Sequence, residues 1–282
     1  MTSRFDSRLR RDWQRDRDAR APGRVQRVAR KYVTGMPTEK TELEWVYNPA
    51  DLFEVPYRRQ TDDYVLVADG GVVRVTLRKP CDPIDANLQD RVTKDVERLL
   101  RVRQLQVHRR FKLGVASVNQ YRSDGTKSIS RSADEVLSFS GQLDIVYRNA
   151  SGAVVQDTKS ERIAEHTNFI DSVMPKLASS ATLNALLESY NAAVSHPANE
   201  LVRLFEIREK LSEHYGGDDE MRRRLGISEK HWKRFGSLTN DLPLKEGRHC
   251  GNHSNLRHAT AVELDDARKI ARGWITAFAD QL

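Results

Sequence analysis

The hydrophobic patterning of this chain predicts an α+β fold, a mixed and mainly antiparallel β-rich region followed by an all-α region. Three observations carry that expectation. From about residue 40 to residue 157, short runs of aromatic and β-branched residues alternate with Gly-, Pro-, Asn- and Asp-rich turn signals. One stretch of helical periodicity interrupts them, marked by Leu88, Val92, Val96, Leu99 and Leu105. Beyond Lys159, apolar residues recur at helical spacing up to the last seam. These shifts divide the chain into an arginine-rich arm (1–39), an α+β domain (40–176) and a helical domain (177–282).

In the arm, Phe5, Leu9 and Trp13 recur every four residues, and Val25, Val28 and Tyr32 continue after Pro22-Gly23, so two short amphipathic helices are expected. Leu43–Tyr47 and Leu52–Tyr57 read as extended segments, with Pro49 and Pro56 suited to edges and turns. Tyr64–Ala68 and Val72–Leu77 flank Asp69-Gly70-Gly71, a hairpin signal. Lys79-Pro80-Cys81-Asp82-Pro83 stops the sheet, and a helix follows over 86–105. Strands resume at Leu113–Tyr121, turn at Ser123-Asp124-Gly125 and continue through Thr126–Ser130, with Val136–Phe139 as a further candidate. Gln142–Tyr147 and Ala153–Asp157 form a second hairpin.

Helices are then expected up to Pro175, from Leu183 to Val194, and from Pro197 to Gly216-Gly217. A short one runs from Asp218 to Leu225, and another starts at Ser228 and buries Trp232, Phe235 and Leu238. Thr260-Ala261-Val262-Glu263 has capping-box spacing for the last helix, whose seam is Leu264, Ala267, Ala271, Trp274, Ile275 and Phe278.

The net charge of +7 is unevenly placed: residues 1–31 hold ten arginines and Lys31 against four aspartates, an excess of seven. The remaining residues carry 36 basic and 36 acidic side chains, so polyanion binding by bulk charge is expected of the arm, Arg10 and Arg11 included, and not of the body. No apolar run approaches the roughly 20 residues of a membrane span, and no apolar leader precedes the arm. Two distant cysteines, Cys81 and Cys250, exclude a disulfide framework and suit a reducing cytoplasm.

The densest chemistry lies in Gly247-Arg248-His249-Cys250-Gly251-Asn252-His253. Arginine beside imidazole can bind a phosphate and move protons near neutral pH. Arg248 and His253, with a polar residue directly after the arginine and a helical surround, resemble the Arg-x4-His signature of the HEPN superfamily. The resemblance covers residues 178–282. It implies a homodimer whose two protomers form a cleft that cleaves RNA with no metal or other cofactor. Arg248 would contact the scissile phosphate, His253 would act as general acid or base toward the ribose 2′-hydroxyl, and His249 would orient one of them. By the 3.6-residue period, Arg248 and His253 stand about 140° apart on a helix, and Gly247 and Gly251 disfavour a continuous one. The motif is therefore expected at a helix terminus, or to reach its cleft across a dimer. A zinc site from His249, Cys250, His253 and His258 is disfavoured, because adjacent ligands seldom point at one tetrahedral ion.

Two further constellations stand beside it. Asp144, then Asp157-Thr158-Lys159 after the hairpin, resembles the PD-(D/E)xK nuclease motif. That resemblance implies Mg²⁺ held by Asp144 and Asp157, with Lys159 on the same strand face positioning water, and Glu97 as an upstream acid. Residues 218–240 resemble a helix-turn-helix, which implies duplex binding through Lys230, Lys233 and Arg234.

Overall fold

A computed structural model describes residues 37–130, 144–148, 151, 153–248 and 255–282. The expected arm helices and the Val136–Phe139 strand lie outside these residues. Over the described chain an antiparallel sheet precedes a helical region, which is the α+β class that the patterning predicts.

The sheet is built on β1 (Thr38–Asn48), whose alternation puts Leu43, Trp45 and Tyr47 on the buried face. β2 (Tyr57–Gln60), β3 (Tyr64–Asp69) and β4 (Val72–Leu77) follow, then β5 (Lys112–Leu113), β6 (Ser117–Arg122) and β7 (Lys127–Ser130). The order is β2-β3-β4-β1-β6-β7, with β5 beside β1, and every ladder is antiparallel. The register sets Leu43 against Val75 and Trp45 against Val73, so the buried positions of neighbouring strands coincide. Gly70 and Gly71 close the β3–β4 hairpin with φ of 53° and 84°, the left-handed pair that a two-residue turn of this kind requires. Gly71 has a second reason to be glycine: a Cβ there would lie 2.9 Å from the Ala50 Cβ.

Two stretches depart from the sequence expectation. Leu52–Tyr57 is not a strand: Ala50–Leu52 form a turn of 3-10 helix, Phe53–Val55 bend, and the ladder begins at Tyr57. Pro49 and Pro56 cannot donate to a ladder, while Leu52 and Phe53 are drawn inward by burial. The strand expected over Leu113–Tyr121 is broken at residues 114–116 into β5 and β6. The second hairpin forms a separate two-stranded sheet of β8 (Val146–Arg148) and β9 (Val154–Asp157).

Against the buried face of the sheet lies α1 (Ala86–Val107), N-capped by Asp85 and buried along Val92, Val96, Leu99 and Leu100. Tyr64 of β3 donates to Asp95 Oδ2 at 2.6 Å, tying sheet to helix. α1 also packs on α2 (Thr158–Leu177) and α3 (Ala181–Ser195). α2 runs past the stop expected at Pro175, because Met174 and Leu177 in its last turn are buried. After a 3-10 turn at Pro197–Asn199 come α4 (Glu200–Tyr215), α5 (Asp218–Leu225) and α6 (Glu229–Gly236), the last continued by a π turn at Ser237–Asp241. α7 (Ala261–Asp280) begins with the expected capping box, Thr260 and Glu263 bonding reciprocally. One apolar core runs through the 176–177 position, joining Trp45 and Leu99 to Leu186, Leu204 and Phe278. No helix of the described residues is long and apolar enough to cross a membrane.

The C-terminus of α1 is pinned into the helices by a buried polar knot. Glu200, only 2% exposed, accepts from Arg268 Nε and Nη2 at 2.6 and 2.7 Å. His108 adopts φ 49° as the cap of α1, with Nε2 3.3 Å from Glu200 Oε1 and Nδ1 2.9 Å from Tyr190 Oη. A side chain in that left-handed region needs a compensating contact, and the ring's two partners supply it. Glu200→Ala would leave the Arg268 guanidinium half-buried and unpaired. It should cost about 3–5 kcal/mol in urea unfolding; a loss below about 1 kcal/mol would mean that the pair is effectively solvated.

Candidate functional site

Arg248 is the last described residue before the 249–254 segment, which contains His249, Cys250 and His253. These three lie outside the described residues, so the structure speaks to Arg248 and to the two stems. The stems are fixed. Arg248 N donates to Thr239 O at 3.1 Å, Lys245 N to Arg257 O at 3.0 Å, and Arg257 N to Pro243 O at 3.0 Å. Buried Glu246 accepts from Ala259 N at 2.9 Å and lies 2.8 Å from His258 Nδ1, so His258 is committed to that carboxylate. The Arg248 guanidinium lies over the Phe205 ring at 4.4 Å and donates to Glu209 Oε1 at 2.6 Å, both partners coming from α4. The Arg248 side chain remains 38% exposed and that of Glu209 53%.

The nuclease-like constellation is arranged differently from its sequence expectation. The strand ends at Asp157, and Lys159 stands in the first turn of α2, so the two do not share a strand face. Asp157 is the N-cap: its Oδ1 accepts from Lys159 N and Ser160 N at 3.1 Å each, and Ser160 Oγ donates to its Oδ2 at 2.8 Å. Those bonds from Ser160 and Lys159 hold its carboxyl below the ordinary range. Asp144 accepts from Arg162 Nη1 at 2.5 Å, which likewise lowers it. Glu97 faces Arg101, at 3.6 Å. Among the described residues no group of three or more potential ligands is placed to hold a metal ion.

The helix-turn-helix resemblance has its two helices and its Gly226 turn, at φ 63°. Only one of its three cations is engaged outside the motif. Arg234 donates to Asp266 Oδ2 of α7 at 2.8 and 3.1 Å, and Lys233 pairs with Glu229 at 3.2 Å; Lys230 is exposed. Arg10 and Arg11 lie outside the described residues.

A further polar cluster, which the sequence reading missed, occupies an open cleft of about 660 Å³ between the Asp51–Glu54 turn, α1 and α2. At its wall Arg103, 3% exposed, donates to Leu52 O at 2.7 Å and to Gln106 Oε1 at 3.2 Å, and its Nη1 lies 2.6 Å from His166 Nδ1. Glu54 lies between two guanidiniums, accepting from Arg162 at 2.6 and 3.2 Å and from Arg103 at 3.4 Å. Arg162 thus bridges Glu54 and Asp144, and its hydrogen bond is the main reason the Glu54 carboxyl sits below its ordinary value. Asp144 and Lys159 line this same cleft. One sequence signal was available: Arg103 stands four residues after Leu99, in the stripe where periodicity calls for an apolar side chain.

Burial, reinforced by the Arg103 charge, pushes the His166 imidazole below 6.5. The unfolded chain therefore takes up this proton first. The stability associated with a neutral His166 is complete above about pH 6.5 and declines as pH falls toward the lower folded value. His166→Gln, which keeps an acceptor for Arg103 but cannot titrate, should flatten the loss of urea stability between about pH 7.5 and 5. Parallel slopes in the two proteins would show that His166 is not depressed. Compared with models of protein families, with curated proteins and with solved structures, the chain matches none.

Proposed function

We infer that the protein cleaves RNA without a metal, through a site built on Arg248 with His249 and His253. The observation that carries this reading is the state of the Arg248 guanidinium. It is oriented on the Phe205 ring and held by one exposed carboxylate, that of Glu209. An exposed ion pair contributes at most about 1 kcal/mol, so a phosphodiester can replace Glu209 while the aromatic face keeps the guanidinium in place. In the reaction, the ribose 2′-oxygen attacks phosphorus as a histidine removes its proton. The 5′-oxygen leaves with a proton from an acid, giving a 2′,3′-cyclic phosphate and a 5′-hydroxyl. Arg248 stabilises charge on the non-bridging oxygens, and His253 of each protomer in a homodimer supplies one of the two proton transfers. His249 orients one of them.

The setting that suits this activity is the cytoplasm, with a bacterial defence or toxin role following from the HEPN resemblance. The arm, with Arg10 and Arg11, adds sequence-independent affinity for RNA. The purified protein should cleave single-stranded RNA in the presence of EDTA. Arg248→Ala and His253→Ala should each lower the rate by a factor of about 10² or more. Cleavage that requires Mg²⁺ and survives His253→Ala would reject this site and direct attention to Asp144 and Lys159.

A further inference from the structure

We propose that the cleft between the Asp51–Glu54 turn, α1 and α2 is a binding site for a nucleoside monophosphate, with its phosphate toward Lys159 and its base toward His166. This inference does not depend on the Arg248 reading.

The first support is geometric. Lys159, Arg162 and His166 follow one another at positions i, i+3 and i+7 of α2, so they form one stripe, and all three line the cleft. At 1.5 Å per residue the stripe is about 10 Å long. A cleft of about 660 Å³ lies within the range of small-molecule sites.

The second support is an accounting of donors. A guanidinium only donates, so the 2.6 Å contact from Arg103 makes His166 Nδ1 an acceptor. The neutral ring then carries its proton on Nε2, and that N–H has no acceptor among the described residues. The Lys159 ammonium makes no hydrogen bond or salt bridge among the described residues, although its charge acts on the nearby Asp144 and Asp157 carboxylates. The acidic side chains at the wall are already engaged: Asp51 by Arg109, Glu54 by Arg103 and Arg162, and Asp144 by Arg162. Among the described residues that line the cleft, four permanent cations face three carboxylates, an excess of one positive charge. Asp157, just outside the lining, partly offsets that excess through Lys159, and two donors remain unspent for a ligand. A single excess charge suits one phosphate better than a polyphosphate chain.

The third support comes from the far end. Beyond His166 the cleft adjoins a pocket of about 80 Å³ whose apolar lining includes Val55, Pro56, Ile163 and Ile170. It shares Arg103 and His166 with the cleft. This pocket is smaller than the roughly 150 Å³ of an engineered cavity that admits benzene. That volume takes the edge of a ring and rejects an acyl chain, and His166, which lines both spaces, would donate to an acceptor on that ring.

Isothermal titration of the full chain with AMP, GMP, CMP and UMP tests the assignment, with inorganic phosphate and the four unphosphorylated nucleosides as controls. At least one nucleotide should bind with Kd below about 1 mM, and each control at least about tenfold more weakly. Lys159→Met, a change at an exposed side chain, should weaken nucleotide binding by about tenfold or more. Arg248→Ala should leave it unchanged, which separates this site from the RNA-cleaving one. The proposal is overturned if no nucleotide binds, if inorganic phosphate binds as tightly, if Lys159→Met binds normally, or if Arg248→Ala abolishes binding.

Discussion

Burying a guanidinium is costly unless every N–H finds an acceptor, and Arg103 imposes that requirement at the centre of this molecule. Its acceptors come from separate stretches: Leu52 O and Glu54 from the turn after β1, Gln106 from its own helix, and His166 from α2. Burial pulls its pKa down, and the Glu54 carboxylate opposes that shift. None of these acceptors is redundant, so the 50–54 turn, α1 and α2 are held in one mutual arrangement. That arrangement creates the cleft, since the groups that satisfy Arg103 also form its wall.

The knot of Glu200, Arg268, His108 and Tyr190 does the same little more than one turn further on, at the C-terminal cap of α1. Burial raises the Glu200 carboxyl, yet its bonds from Arg268 and His108 outweigh burial and leave it below its ordinary value. α1 therefore carries the sheet on its apolar face and is locked to α2 near residue 103 and to α3, α4 and α7 near residue 108.

Much of the architecture was legible in the residues, because the signals are local and periodic. Alternation in Leu43–Tyr47, the Gly70-Gly71 turn, Ser228 as a cap, Gly216 and Gly226 as stops, and the Thr260–Glu263 box all correspond to elements of the structure. The misread strand at Leu52–Tyr57 and the helix end at Pro175 share one cause, burial decided by distant partners. Phe53 follows the core rather than a ladder, and Met174 and Leu177 carry α2 past Pro175. Asp157-Thr158-Lys159 gave no hint that its first residue would cap a helix containing its third. The cleft was hardest to see, since Glu54, Arg103, Arg162 and His166 lie far apart in sequence and meet only when three elements converge. For the Arg248 site, the sequence located the arginine and its helical setting, whereas the Phe205 and Glu209 partners required the fold.

The contact between Arg248 and Glu209 has a consequence for selectivity. An arginine that already holds a carboxylate does not present an empty site; it offers an exchange of one anion for another. The free energy of binding is then the difference between two ion pairs on the same aromatic platform. Weak or singly placed anions gain little from that exchange, while a polyanion gains at Arg248 and again wherever else its backbone meets positive charge. Under the proposed RNA-cleaving reading, Glu209 would act as a threshold, which a single small anion displaces poorly and a chain of phosphates displaces readily.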